Sequence, residues 1–316
     1  MAQDSGTGFP DKVLVGLDLN LLVIFEVIYA TGNVSEAARR LGSSQPNVSN
    51  ALGRMRQHFD DPLFTRSSRG VVPTPLANHL IGPVRLALST LRGALTLEQD
   101  FDLAASDRTF RLSMPSVTLS VMVPALLRRI REAGSAVRLD LVPPNFTTPH
   151  EALLNGVVDV TTNLFPFDQD GISFEPLPPV DVVIIAARDH PRLRGSITLD
   201  QFRAEAHVVL PQELQRQLQA HTLMLNAGID RQISCVAALG NDIPSIVGTT
   251  DLIGFSPRRF AEFAAPRFGL QILPPPFKVP PVQLFLGWRS DQSEDPGLTW
   301  LLSELRRIGR APVFGA

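Results

Sequence analysis

The spacing of apolar residues predicts helices at the start of the chain. From Leu17 to Tyr29, apolar side chains recur at three and four residues, the period of a helix with one buried face. A short helix follows from Ser35 to Leu41, and Ser35 has the hydroxyl expected of its N-cap. Ser44 is then placed to cap a helix that runs from Gln45 to about His58.

A small hairpin and a long helix complete this first region. The short segments Leu63–Arg66 and Val71–Pro73 are separated by a turn-forming stretch, which predicts a two-stranded wing. From Leu76 to about Leu97, leucines recur at helical spacing. A helix this long and apolar cannot stand alone, so it indicates a dimerisation arm.

Beyond Asp107 the pattern changes to strands that alternate with helices. Phe110–Met114 is a predicted strand, the segment from Pro115 to about Ala133 a helix, and Val137–Val142 another strand. The alternation continues to a last helix at Trp300–Ile308. This order predicts parallel α/β sheets.

Composition limits the classes of function. Hydrophobic residues make up 44% and charged residues 19%, which is typical of a globular protein. Residues 1–98 hold nine Lys and Arg against eight Asp and Glu, a balance of +1, so DNA binding would depend on a local patch. A single cysteine excludes a disulfide framework and a thiolate zinc site. With neither a secretory signal nor a membrane span predicted, we expect a cytoplasmic protein that does not engage the membrane.

Two helices joined by a short turn form a helix-turn-helix, whose second helix can enter the major groove. Amides and hydroxyls near the start of that helix can pair with base edges, and arginines can hold phosphates. An ordinary amphipathic helix pair remains the alternative. The residues predicted to contact DNA are Ser35, Ser44, Gln45, Asn47, Ser49, Asn50, Arg54, Arg56, Arg66 and Arg69.

Five blocks in order carry a family resemblance, namely Leu17–Leu22, Ser35–Leu41, Ser44–Ser49, Asp61–Arg66 and Pro73–Pro75. They resemble the winged helix-turn-helix of the LysR-type transcriptional regulators. The resemblance extends from about Leu17 to Ile308. The segment Thr250–Pro257 and Trp288 resemble the branch that contains nodulation and aromatic-degradation regulators, although Arg289 stands where that branch commonly has histidine.

The resemblance implies a winged helix-turn-helix, a linker helix and an α/β effector domain of two subdomains, similar to a periplasmic binding protein. The implied divisions are a flexible tail (1–16), the DNA-binding domain (17–75), the linker and dimerisation helix (76–98), and the effector domain (107–316), with subdomain I at 107–167 and 275–316 and subdomain II at 168–274. It also implies a homodimer that assembles into a tetramer on an interrupted inverted repeat of double-stranded DNA. A small-molecule effector is implied as a partner, and RNA polymerase is a candidate further partner.

The effector is expected where strand ends meet helix starts. Met114–Thr118 passes from a strand into a helix N-terminus, which favours an anion such as a carboxylate or phenolate. Simple helix capping by Ser116, core packing of the phenylalanines and a structural role for His207 remain open alternatives. The residues predicted to line the site are Pro115, Ser116, Val117, Thr118, Asn163, Phe165, Phe167, His207, Val209 and Phe255.

Enzyme motifs are missing from the sequence. It contains no Gly-rich phosphate loop, no Gly-x-Ser-x-Gly elbow and no His-Glu-x-x-His, so we expect no catalysis, no metal and no cofactor. A transport receptor would share the sensor fold but should carry a signal peptide and no DNA-reading unit. An effector-independent silencer with a vestigial cleft is the alternative to a regulator that senses an aromatic acid or phenol. Cys235 is expected to be a small buried residue.

Overall fold

The computed structural model describes residues 18–67, 70–95, 101–143, 148–165 and 170–311. These residues divide into two compact units. One comprises residues 1–97 with 155–157, and the other comprises 98–154 with 158–316. The predicted tail (1–16), Arg69, Phe167 and the end of the linker helix (96–98) lie outside the described residues.

The described residues of the first unit form four helices and a hairpin, in the predicted order. Its elements are α1 (Leu19–Thr31), α2 (Val34–Arg40), α3 (Gln45–Phe59), β1 (Phe64–Ser67), β2 (Gly70–Pro73) and α4 (Pro75–Leu95). Strands β1 and β2 pair antiparallel, which confirms the predicted hairpin.

The caps of these helices explain where each one begins. Ser44 caps α3 as predicted, and its hydroxyl accepts from the Asn47 N–H at 3.4 Å. The prediction that Ser35 caps α2 is wrong. Asn33 is the cap, because its extended backbone lets Oδ1 accept from the Ser35 and Glu36 N–H groups at 2.9 and 3.1 Å. An N-cap of this kind contributes about 1 kcal/mol to stability.

The core of the first unit lies where α1, α2 and α3 meet. Phe25 and Ile28 of α1 are fully buried, and Leu52 and Met55 of α3 pack in the same cluster. Each side chain of this size contributes about 1.5–3 kcal/mol on burial. The buried residues of α2 in this cluster are the small Ala37 and Ala38, so the helices can approach one another closely there.

The second unit alternates strands and helices. Its elements are β3 (Thr109–Ser113), α5 (Ser116–Glu132), β4 (Arg138–Leu141), α6 (Pro149–Leu154), β5 (Val160–Asn163), β6 (Ile172–Pro176), β7 (Val182–Ala187), α7 (Leu199–Ala204), β8 (Ala206–Val209), α8 (Gln212–Gln215), α9 (Gln219–Asn226), β9 (Gln232–Val236), α10 (Asp242–Gly248), β10 (Gly254–Pro257), α11 (Arg258–Phe268), β11 (Leu270–Leu273), β12 (Phe285–Arg289) and α12 (Pro296–Arg310). A five-stranded sheet has the order β4-β3-β5-β12-β6, a three-stranded sheet the order β10-β7-β11, and β8 pairs with β9.

The prediction of parallel sheets is correct for only some of the strand pairs. Strand β3 is parallel to β4 and β5, but β12 runs antiparallel to β5 and β6. Strand β7 is antiparallel to both β10 and β11. Strands β10 and β11, which α11 connects, are parallel to each other, as the alternation of helices and strands predicts. The alternation does not reveal that β7 lies between them in the opposite direction.

Strand β7 is buried on both faces. Val183 and Ile185 pack into one apolar cluster, and Ile184 and Ala186 pack into another on the opposite face. This explains why β7 reads as a continuous apolar run rather than an alternating one. The five-stranded sheet has its own core, formed by β3, α5, β12 and α12.

Candidate functional site

Helix α3 presents a polar surface beside its buried face. Val48, Leu52 and Met55 turn into the core. The predicted base-reading residues Gln45, Asn47 and Asn50 are exposed, whereas Ser49 is half-buried. The Gln45 Nε2 donates to the Ser49 Oγ at 2.9 Å, so the Gln45 side chain lies along the helix. Ser35 and Ser44 are also exposed at the starts of α2 and α3.

The arginines predicted to hold phosphates differ in how freely they could do so. Arg54 pairs with Asp18 at 3.3 Å, and Arg66 is exposed on β1. Arg56 donates from Nε to the Pro62 carbonyl at 2.8 Å and from Nη2 to the Phe64 carbonyl at 3.0 Å. Its guanidinium therefore ties α3 to the base of the wing, a role that the sequence did not indicate.

The wing is held on its other side by the turn after α1. The Val71 N–H donates to the Gly32 carbonyl at 2.8 Å. Gly70 has a φ of +138°, and a Cβ built on it would lie 2.2 Å from the Gly32 oxygen. Glycine is therefore needed at this position.

A second hydrogen-bonded group anchors the start of the wing. The Asp61 carboxylate accepts from the Leu63 N–H at 2.6 Å and from the Thr74 hydroxyl at 2.8 Å. Leu63 has a φ of +56°, which is unfavourable for a branched side chain but is stabilised here by full burial. The wing is thus held at three places: by Arg56 of α3, by the turn after α1 and by Asp61.

The predicted anion site lies at the start of α5. Pro115 precedes the helix and is exposed, while Ser116, Val117 and Thr118 are half-buried in its first turn. No side chain caps this helix, so the alternative that Ser116 is its cap is excluded. Backbone N–H groups and the helix dipole are therefore the chemistry that this end can offer.

A loop of the β7-containing half of the domain packs onto α5 and narrows this site. A Cβ built on Gly240 would lie 2.7 Å from the Val117 Cγ1. The Asn241 Nδ2 donates to the Ser120 Oγ at 3.1 Å, and the Ser120 hydroxyl donates to the Ser116 carbonyl at 3.1 Å. In this structure the predicted cleft is closed at α5.

The other residues predicted to line the effector site differ in their exposure and contacts. Asn163 is half-buried and its Nδ2 donates to the Thr161 Oγ1 at 3.4 Å. Phe165 is 55% exposed, so the alternative that it packs in the core is excluded. Phe255 is half-buried and packs against a core cluster, with its ring centroid 5.8 Å from that of Phe202. Val209 is buried.

The prediction that His207 faces the cleft is contradicted by its burial. Its side chain is 1% exposed and packs edge-on against Phe202, with 4.6 Å between ring centroids. Its Nε2 bonds to the Phe202 carbonyl at 2.8 Å. Because β8 pairs with β9 on one side and His207 is bridged to Ile253 on the other, this histidine is enclosed and has a structural role.

The pH dependence of stability should reveal that role. Burial lowers the pKa of His207 to about 4 from the ordinary 6.5. The unfolded state therefore binds the proton more readily than the folded state. The stability that buried, neutral His207 contributes is complete above pH 6.5 and is lost as the pH falls toward 4. The expected slope is about 1.4 kcal/mol per pH unit. Urea unfolding followed by tryptophan fluorescence should show this slope in the wild type and lose it in His207→Gln, while the exposed-site control His58→Gln retains it.

Two cavities lie at the surface of the effector domain. A cavity of about 180 Å³ borders Glu175 and Arg306, and one of about 400 Å³ borders Arg203 and Arg231. None of the predicted effector residues lines either cavity. Among the described residues, His, Cys, Asp and Glu form no group of three or more that could hold a metal ion. Nor does any helix in the described ranges have the length and apolar character needed to cross a membrane.

Two family models match the chain. The bacterial regulatory helix-turn-helix of the lysR family matches residues 19–78, and the LysR substrate binding domain matches residues 104–310. The chain is 36% identical over 285 residues to the HTH-type transcriptional activator NagR of a Ralstonia species, covering 90% of this chain and 95% of that protein. It is 34% identical over 285 residues to the HTH-type transcriptional activator NahR of Pseudomonas putida, again covering 90% and 95%.

A nodulation regulator and a solved structure extend the comparison. Nodulation protein D 1 of Bradyrhizobium diazoefficiens is 32% identical over 289 residues, covering 90% of this chain and 91% of that protein. The crystal structure of a probable transcriptional regulator from Pseudomonas aeruginosa matches with a TM-score of 0.73 at 32% identity, covering 93% of this chain and 98% of that chain. These matches confirm the predicted architecture and branch, and they support the expectation that the protein is not an enzyme. The chain belongs to the LysR family of DNA-binding transcriptional regulators, with an N-terminal helix-turn-helix and a C-terminal effector-binding domain.

Proposed function

We propose that this regulator reads an interrupted inverted repeat by inserting α3 of each subunit of a dimer into the major groove. The supporting observation is the exposed polar start of α3, where Gln45, Asn47 and Asn50 stand beside a wing that carries Arg66. Two such helices would read half-sites about one helical turn apart. The leucine-rich helix α4 would join two chains, and two dimers would form a tetramer on the operator.

Two substitutions separate base reading from phosphate binding. Gln45→Ala should relax the preference among operator variants, because it removes an amide that can pair with a base edge and that Ser49 holds in place. Arg66→Ala should weaken binding to all sequences and reduce the salt slope by about 1. Gel-shift titrations against operator variants at several salt concentrations measure both. If Gln45→Ala leaves the preference unchanged, α3 does not lie in the groove in this register.

For the effector domain, we propose a small aromatic acid or phenolate bound between the two halves of the domain. The uncapped first turn of α5 favours an anionic ligand, because its backbone N–H groups can donate hydrogen bonds and the helix dipole is positive at this end. The similarity to the nodulation and aromatic-degradation branch supports the aromatic part. Binding would require the loop at Gly240 and Asn241 to move from α5, and this movement would transmit the signal.

The closed cleft also supports a second candidate, a silencer that binds DNA without an effector. Close packing at Val117 and Gly240 is what a vestigial cleft would look like. Thermal unfolding with benzoate, the three monohydroxybenzoates and phenol separates the candidates, because a ligand that binds the native state raises its melting temperature. A compound that raises this temperature and alters the operator footprint supports the sensor. Operator binding that none of these compounds affects supports the silencer.

A further inference from the structure

A cationic cavity lies away from the cleft, at the end of α7 and the loop before β9. It has a volume of about 400 Å³ and is lined by Arg203, Gly228, Asp230, Arg231 and Gln232. The cavity is open to solvent, so a small molecule could reach its polar lining. None of the elements proposed to hold the aromatic effector contributes to it.

Arg231 is the unusual member of this cavity. Its side chain is half-buried, and burial lowers its pKa without an opposing carboxylate. The Nη2 donates to the Gln215 Oε1 at 2.7 Å. The Gln215 Nε2 is bound to the Leu210 carbonyl at 2.6 Å, which fixes the amide so that its oxygen faces Arg231. A neutral amide oxygen satisfies one N–H of the guanidinium but leaves its charge uncompensated.

The positive charge extends beyond Arg231. Arg203 lines the cavity, and Arg216 and Arg231 both contribute to lowering the pKa of His221 after the larger effect of its burial. The His221 Nδ1 is buried without a hydrogen-bond partner. Within residues 170–311, no carboxylate forms an ion pair with Arg203, Arg216 or Arg231, although Asp230 lines the cavity.

A half-buried cation without an anionic partner is costly, and an arginine fork matches the geometry of an oxyanion. We propose that this cavity is a second ligand site, which binds a small carboxylate- or phosphate-bearing molecule through Arg231 and Arg203. The protein would then bind two ligands, an aromatic effector in the cleft and an anion at this site. Binding of the anion does not depend on binding of the effector.

The test uses the full chain, with inorganic phosphate and acetate as separate probes against sodium chloride of equal ionic strength. Titration calorimetry gives the affinity, and histidine NMR follows His221, which is assigned with His221→Gln. An anion at the site screens the field of Arg231, so the pKa of His221 should move back toward its ordinary value as the probe binds. At about ten times Kd, the melting temperature should rise by roughly 3 °C.

Arg231→Gln should lower the affinity by at least about ten-fold and abolish the response of His221 to the probe. The exposed Arg188→Gln makes the same chemical change in the same half of the domain and should leave both readouts intact. If Arg231→Gln does not fold, Arg203→Gln at the exposed side of the cavity is used instead. The stronger of the phosphate and acetate responses identifies the ligand class. An equal response in Arg231→Gln and wild type, or no response of the wild type beyond that to chloride, would overturn the proposal.

Discussion

Replacing Gly70 with alanine is expected to detach the wing and abolish stable operator binding. The new Cβ would lie 2.2 Å from the Gly32 carbonyl oxygen, which is backbone and cannot rotate away. The φ of +138° is also strained for any residue with a Cβ. The Val71–Gly32 hydrogen bond must then break. We expect the free energy of unfolding of the DNA-binding unit to fall by roughly 2–4 kcal/mol.

Gly42→Ala is the matched control for this prediction. Gly42 also has a positive φ, of +60°, but a Cβ built there meets nothing within 4 Å. Gly42→Ala should therefore lower the free energy of unfolding through backbone strain alone, by about 1 kcal/mol. Because the single tyrosine, Tyr29, lies in α1 and both tryptophans lie in the effector domain, tyrosine fluorescence reports the DNA-binding unit separately. Equal losses in the two variants would show that the Gly32 contact does not hold the wing.

Replacing Arg259 with methionine should clearly destabilise the effector domain. Arg259 belongs to α11, and its guanidinium donates to three carbonyls at the end of α12: those of Ile308 and Ala311 at 2.8 Å each, and that of Gly309. A cation at a helix C-terminus also opposes the negative end of the helix dipole. We expect a loss of about 2–3 kcal/mol, since these are charge-assisted bonds and the carbonyls would lose their partner.

Arg258→Met provides a control one residue away. Arg258 is 43% exposed and its pairing with Asp181 is long, at 3.7 Å, so its loss should cost less than about 1 kcal/mol. Urea unfolding followed by the fluorescence of Trp288 and Trp300 measures both variants. If the two lose the same stability, Arg259 does not join α11 to α12 in solution.

Much of the DNA-binding unit could be predicted because its signals are local. The Ser44 cap and the spacing of Val48, Leu52 and Met55 set the start and the buried face of α3, and the structure has both. The cap of α2 was misassigned because Asn33 and Ser35 are both good caps, and only the backbone angles distinguish them. Nothing in the sequence marks Arg56 as a tether, since its acceptors are backbone carbonyls.

The effector domain was harder to predict because its contacts join distant segments. Strands β6 and β11 are too short for their sequences to show a clear alternation, and the sequence does not mark the break between α8 and α9. His207 was assigned to the cleft because its position beside an apolar strand does not reveal the bridge to Ile253 that encloses it. The approach of Gly240 and Asn241 to α5 likewise has no signature in either segment alone.

The order of strands in the five-stranded sheet has a consequence for synthesis of the chain on the ribosome. Strand β12 lies between β5 and β6, and α12 supplies Leu301 and Leu305 to the core beneath that sheet. Until β12 and α12 have emerged, β5 and β6 have no strand between them and the core is open. The half built around β7 is complete earlier, so it can fold first, and the sheet that contains β3, β4 and β5 is completed only when β12 is added. A nascent chain of this regulator therefore exposes an incomplete sheet edge from the synthesis of β5 until that of β12, and chaperones can act there during this interval.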